Sequence, residues 1–332
     1  MGNIKKDVAV LGGGSWATAI VRMLCSNTDK IAWYIREKEI IDHIKSHNHN
    51  PRYLSTVNLD PKKLTLTDDI NKAVQIADII IIVIPSPFLK DSLGRLKTDI
   101  SGKLVCSAVK GIVPEGNYIV GDFLHKKFKV PYNKLVVLTG PTHAEEIAME
   151  KLTYLTIASH EYSSAEKISY LLKNYYLRTI ISDDIIGTEY AAVIKNIYAI
   201  AAGIADGLGF GDNFQAVLLS NAATEMKRFI KAVYVNDRNF DSSPYLGDLL
   251  VTAYSQFSRN RMFGKMLGKG YSVRFTRMEM EMVAEGYYAS DCINDINRDL
   301  KVEIPIADTV YRILYHNTNP ALEFRKLTDK LK

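Results

Sequence analysis

Residues 191–205 read Ala-Ala-Val-Ile-Lys-Asn-Ile-Tyr-Ala-Ile-Ala-Ala-Gly-Ile-Ala, and Lys195 is the one charged side chain among them. A lone lysine on an apolar helix is costly unless it is paired or used. Burial lowers an ammonium pKa from about 10.4 toward neutrality, which suits general acid–base work. The bland alternative is a lysine whose head reaches solvent at the edge of the domain. Asn196 argues against it by adding a second polar group to the same run. Other isolated polar groups accompany Lys195. Lys110 closes an apolar run just before Gly111, and Asp248 stands alone in Leu-Gly-Asp-Leu-Leu-Val. Ser258-Arg259-Asn260-Arg261 supplies several donors and no fixed negative charge, which suits a phosphate. In isolation Lys110 reads as an ordinary surface lysine after a strand, and 258–261 reads equally as a solvated turn.

A second group points to a nucleotide. Gly12-Gly13-Gly14-Ser15-Trp16-Ala17 is a G-x-G-x-x-A run that follows an apolar strand and opens a helix. Gly12 permits a tight turn, Gly14 lets backbone approach a pyrophosphate, and Ala17 lets helix and strand pack closely. The N–H groups of Ser15 and Trp16 then face phosphate at the positive helix end. About 20 residues on, Arg36 stands where a strict NAD site carries an acid. A guanidinium there can pair with a ribose 2′-phosphate, which tilts the reading to NADPH, while Glu37 keeps NADH open. Gly140-Pro141-Thr142-His143-Ala144-Glu145-Glu146 also follows a strand, with Thr142 and Glu145 at capping-box spacing and His143 read as structural.

These residues need a scaffold, and the first half of the chain supplies one. Strands are expected at 7–11, 31–35, 63–67, 78–84, 103–108, 135–139, 154–158 and 178–182. Helices are expected at 15–25, 68–76, 88–96 and 115–126, with another between the last two strands. The 78–84 run is nearly all isoleucine and valine, as for a strand buried on both faces of a parallel sheet. Alternating strand and helix implies an α/β, Rossmann-type doubly wound sheet. Beyond about residue 187, helical periodicity takes over at 188–205, 214–235, 244–257, 278–300 and 306–315. Two domains follow: 1–187 for a dinucleotide and 188–332, mostly α-helical, for substrate and catalysis.

Composition narrows the function classes. The net charge of +5 from 42 basic and 37 acidic residues is small and scattered, which excludes a nucleic-acid footprint. Cys25, Cys106 and Cys292 are odd in number and lack metal-ligand spacing, so reduced thiols, no metal and a cytoplasmic setting are expected. Residues 1–7 are short and charged and do not read as a signal peptide. The apolar stretch at 79–85 is far too short to span a bilayer.

Taken in order, Gly-Gly-Gly-Ser-Trp-Ala at 12–17, Val-Lys-Gly at 109–111, Gly-Pro-Thr-His-Ala-Glu-Glu at 140–146, Lys-Asn at 195–196, Ala-Ala-Gly-Ile-Ala-Asp-Gly-Leu-Gly-Phe-Gly-Asp-Asn at 201–213, Leu-Gly-Asp-Leu at 246–249, Ser-Arg-Asn-Arg at 258–261 and Ala-Glu-Gly-Tyr at 284–287 resemble the bacterial-type NAD(P)H-dependent sn-glycerol-3-phosphate dehydrogenases. The resemblance covers nearly the whole chain. It implies reduction of dihydroxyacetone phosphate to sn-glycerol 3-phosphate, feeding glycerophospholipid synthesis. It implies proton transfer by Lys195, and substrate contacts from Lys110, Gly140, Thr142, Lys195, Asp248, Ser258, Arg259 and Asn260, with Arg259 and Asn260 on the phosphate. It implies NADP or NAD contacts from Ser15, Trp16, Arg36, Lys110, Ala144, Arg259, Val283 and Glu285, beside Gly12 and Gly14. The chain departs from the pattern with Ala17 for glycine, Thr142 for serine and Ser220-Asn221-Ala222 for Thr-Arg-Gly. A homodimer is compatible with the helical domain. Two rivals stand: another two-domain dehydrogenase of a small hydroxy or keto acid, and a cofactor-sensing protein without catalysis, for which the isolated Lys195 has no use.

Overall fold

The computed structural model describes residues 7–280 and 283–332. Two compact units divide the chain: Met1–Val109 with Val120–Ile185, and Lys110–Ile119 with Ile186–Lys332. The segment Lys110–Ile119 groups with the second unit, a return that chain order alone does not reveal.

The first unit begins β1 (Val8–Leu11), α1 (Ser15–Leu24), β2 (Ile31–Tyr34), α2 (Lys38–His47), β3 (Leu64–Thr67), α3 (Ile70–Gln75), β4 (Ile79–Ile82), α4 (Leu89–Leu93) and β5 (Leu104–Ser107). The short hairpin β6 (Ile112–Val113) and β7 (Tyr118–Ile119) lies in the segment that joins the second unit. The first unit resumes with α5 (Val120–Phe128), β8 (Leu135–Thr139), α6 (Ala144–Ala148), β9 (Thr153–Ala158), α7 (Tyr162–Leu172) and β10 (Leu177–Ser182). Eight strands form one sheet in the order β10-β9-β8-β5-β4-β1-β2-β3. β1 pairs in parallel with both β2 and β4, so the strand order reverses beside it. Ligands of such sheets bind outside the carboxyl ends at that reversal. β9 runs antiparallel to β8. Every residue of β1 and β4 is buried, as their unbroken apolar sequences require.

The second unit is helical: α8 (Ile185–Gly207), α9 (Asp212–Val233), a π turn leading into α10 (Asp248–Tyr254), then α11 (Arg259–Gly268), α12 (Val273–Glu279), α13 (Glu285–Leu300), α14 (Pro305–Tyr315) and α15 (Pro320–Thr328). Residues 190–205 of α8 are buried throughout, which explains why its sequence is apolar on all sides. α8 and α11 touch backbone to backbone. A Cβ on Gly264 would lie 2.1 Å from the Ile200 carbonyl oxygen, and one on Gly203 would lie 2.0 Å from that of Arg261. Glycine at both positions therefore sets the approach that brings the start of α11 to the middle of α8. Glu225 of α9 is buried and accepts the N–H groups of Ile306 and Ala307 at 2.9 and 3.0 Å, satisfying the open start of α14.

All eight main strands lie where the β-rich runs place them. The helices differ more. The expected helix at 115–126 begins instead at Val120, because Gly116 and Asn117 take φ of +96° and 52° in the hairpin turn, which no α-helix accommodates. The expected helix at 244–257 is a π turn followed by α10, which ends where Ser255 becomes extended. The expected helix at 278–300 corresponds to α13 from Glu285 onward, and 281–282 lie outside the described residues, as do 1–6. The helices α2, α11, α12 and α15 were not expected; each is short or rich in polar residues, which blurs the apolar stripe.

Candidate active site

In the helical unit, three chain-distant polar groups meet. Lys195 Nζ lies 2.5 Å from Asp248 Oδ1, and Lys110 Nζ lies 3.3 Å from the same oxygen. Lys195 also donates to Thr252 Oγ1 at 2.8 Å, and Thr252 in turn donates to the Asp248 carbonyl at 2.6 Å. Asp248 and Thr252 stand one turn apart on α10 and so face α8 together. Lys195 is 3% exposed and Asp248 0%, so this is a dry cluster. Burial lowers the Lys195 pKa to about 7; Asp248 opposes the shift and Lys110 adds to it. Asp248 Oδ2 is buried and meets no hydrogen-bond partner among the described residues.

A second chain of bonds adjoins the first. Asn196 donates to the Lys110 carbonyl at 2.7 Å, and its own oxygen accepts from Asn260 at 2.9 Å. Asn260 Oδ1 accepts the Gly286 N–H at 2.9 Å. The network thus ties α8, α11 and the start of α13, where Val283 and Glu285 flank Ala284. The stretch 258–261 is the start of a helix rather than a free turn. Ser258 caps α11 by accepting the Arg261 N–H at 3.3 Å, and Arg259 is its first residue.

In the sheet unit, Gly12 takes φ +133°, and a Cβ there would lie 2.8 Å from the Val83 carbonyl oxygen. A Cβ on Gly14 would meet nothing within 4 Å, so backbone at the start of α1 is open to a close-lying group. That open cradle, with Ser15 and Trp16 in the first turn, fits a pyrophosphate. Arg36 follows β2, exposed, and its guanidinium pairs with Glu37 at 2.5 Å. Gly140 takes φ +102° after β8, and Ala144 begins α6. The capping box at 142–145 does not form: α6 starts one residue too late, His143 is its N-cap, and Thr142 donates instead to the Gly140 carbonyl at 3.1 Å.

The chain matches family models in both halves, described as the N-terminus of NAD-dependent glycerol-3-phosphate dehydrogenase over residues 7–165 and the C-terminus over 184–324. A glycerol-3-phosphate dehydrogenase [NAD(P)+] of Exiguobacterium is 35% identical, covering 97% of this chain and 94% of the relative. This chain belongs to the NAD-dependent glycerol-3-phosphate dehydrogenase family. An enzyme of the same name from Limosilactobacillus reuteri is also 35% identical, over 98% of this chain and 97% of its own. The crystal structure of the Coxiella burnetii glycerol-3-phosphate dehydrogenase superposes with a TM-score of 0.89 at 26% identity, covering 98% and 99% of the two chains. The family is thus one of NAD(P)-dependent oxidoreductases, and the Rossmann sheet with a helical second half is its fold.

Within this dehydrogenase frame, several structural partners carry little sequence signal. Thr252 is marked only by its i+4 spacing from Asp248. Asn50 is fully buried after α2 and donates to the Gly13 carbonyl and Thr18 Oγ1 at 3.1 and 3.0 Å, clamping the glycine-rich turn. Trp33 Nε1 donates to the Gly12 carbonyl at 2.6 Å from the neighbouring strand. Neither position stands out in its local sequence. The Ser220-Asn221-Ala222 departure has a structural use: Asn221 exchanges two hydrogen bonds with the Lys332 backbone at 2.8 and 3.1 Å.

Proposed function

We propose that the protein reduces dihydroxyacetone phosphate to sn-glycerol 3-phosphate, with Lys195 delivering the proton. The observation that carries this reading is the dry Lys195–Asp248–Thr252 cluster, with Lys110 on the same carboxylate. Gly12, Gly14, Ser15, Trp16, Arg36 and Ala144 of the sheet unit would hold the nicotinamide cofactor, as would Lys110, Arg259, Val283 and Glu285, which belong to the helical unit. When bound, the cofactor supplies the hydride.

The chain's own residues do the rest. The ammonium of Lys195 polarises the carbonyl oxygen and passes its proton to it as negative charge develops. A pKa of about 7 makes that proton easy to give and easy to regain near neutrality. Asp248 and Thr252 hold the nitrogen in place, and the buried, unpartnered Asp248 Oδ2 is the acceptor for a substrate hydroxyl. Arg259 and Asn260 take the phosphate at the start of α11, beside the Ser258 cap, where the helix end favours an anion. Gly140 and Thr142 complete the substrate contacts. Remote phosphate binding fixes orientation at the reacting carbon.

No helix among the described residues is long and apolar enough to cross a membrane. A cytoplasmic enzyme, homodimeric through its helical half and supplying a precursor of glycerophospholipids, completes the proposal. The test is product analysis after incubation with dihydroxyacetone phosphate and either NADH or NADPH, beside a keto acid of similar size. Formation of sn-glycerol 3-phosphate alone supports the reading. Turnover confined to the keto acid sinks it in favour of a carboxylate dehydrogenase.

A further inference from the structure

The sequence Asp-His-Ile-Lys-Ser-His-Asn-His-Asn at 42–50 holds three of the chain's seven histidines. The fold gathers them. His43 and His47 stand one turn apart on α2, and the left-handed Asn48, φ 61°, turns the chain so that His49 returns beside the helix. His43 Nε2 and His49 Nε2 lie 3.4 Å apart. Their ring centres are 4.7 Å apart with planes at 73°, so the two nitrogens do not meet head-on, which would separate the centres further. His47 stacks on the outer ring, 4.2 Å from His43 at 15°, and limits its rotation. His49 Nδ1 faces the Asn50 carbonyl at 3.4 Å, which favours the proton on Nδ1 and a lone pair on Nε2. A backbone carbonyl behind the ring is the usual support of a metal-binding histidine.

Two nitrogens bound to one tetrahedral zinc at about 2.0–2.1 Å stand roughly 3.3–3.4 Å apart. We propose that His43 and His49 form a chelate site for a divalent transition-metal ion of the zinc class, bound through both Nε2 atoms. Among the described residues no three His, Cys, Asp or Glu side chains are placed to share one ion, so water fills the remaining positions. Imidazole is a good ligand for zinc, copper and nickel and a poor one for magnesium and calcium, which sets the ion class. The site belongs to the sheet unit, and the Lys195 cluster belongs to the helical one. It lies one residue from Asn50, the clamp on the glycine-rich turn, so a bound ion braces the end of α2 beside that clamp.

The experiment is calorimetric titration of the chelator-stripped full chain with zinc chloride, paired with thermal unfolding. The variants are His43→Gln, His49→Gln and the double substitution, with His160→Gln as control. Wild type is expected to bind one ion per chain and to unfold at higher temperature as zinc rises. Each single substitution should weaken binding by about tenfold or more and the double should abolish it, while His160→Gln changes nothing. Cobalt should give visible absorption from nitrogen and oxygen ligands in wild type that the double variant lacks. Far-ultraviolet dichroism establishes that the variants are folded. Zinc binding undiminished in the folded double variant overturns the proposal, as does the absence of binding by wild type, which would leave a simple imidazole contact.

Discussion

Lys195 and Asp248, 53 positions apart in the chain, face each other at 2.5 Å inside the helical unit with neither side chain open to solvent. Burial of the lysine, which the carboxylate opposes, gives the site its pH dependence. Burial brings the Lys195 pKa to about 7. Reduction needs the charged form, so kcat for reduction should fall as pH rises through about 7, with one proton lost. Oxidation of the alcohol needs the neutral form and should rise over the same range. Initial rates in both directions across pH check this; parallel profiles would contradict it.

Asp248 holds the Lys195 pKa up against burial. Asp248→Asn keeps the shape and removes that support. The alkaline fall of the reductive rate should then move to lower pH, and kcat at neutral pH should drop. The same profile measured on the variant reads the shift directly. An unchanged profile would mean that the carboxylate does not govern the lysine.

Gly264→Ala would push a methyl group to 2.1 Å from the Ile200 carbonyl, which is backbone and cannot step aside alone. Such overpacking costs about 1–3 kcal/mol, or more where backbone must move. Denaturant unfolding should show the loss. Activity should fall as well, since α11 carries Arg259 and Asn260.

Asn260→Ala would strip partners from Asn196 Oδ1 and the Gly286 N–H at once. Leaving such groups unpaired costs about 1–3 kcal/mol. Chemical denaturation measures that loss. Added phosphate separates the two roles of this residue: it should protect wild type from unfolding and protect the variant less.

The sheet was legible because a parallel strand buried on both faces has nowhere to place a polar residue. The tetrad Ile79–Ile82 therefore announces itself. Lys195 was legible for the converse reason, a charge where the helix is otherwise apolar. Its partners were less so. Asp248 stood out as isolated, but nothing in the sequence states which lysine it meets, because pairing over such separations is settled by packing. Thr252 and Asn50 are ordinary residues in their local sequence and acquire roles only from what the fold sets beside them. Helix α11 was hidden for a different reason: its buried face is made partly of Gly264 and Asn260, which do not read as an apolar stripe.

Arg36 bears on cofactor choice. It is exposed and already paired with Glu37 at 2.5 Å, a surface contact worth little by itself. Arg36→Ala should weaken NADPH by about tenfold, the scale of one charge-assisted contact, and leave NADH nearly unchanged. Glu37→Gln frees the guanidinium and should favour NADPH. Binding titrations with both cofactors decide it, and equal effects on the two would remove Arg36 from the ribose site.

The central claim is that Lys195 passes the proton. Its most direct test is steady-state reduction of dihydroxyacetone phosphate by wild type and Lys195→Ala, with cofactor binding measured on both. Loss of one proton-transfer group predicts a kcat lower by about 10²–10⁴ with cofactor affinity retained. Turnover that survives the substitution in a folded variant would contradict the account.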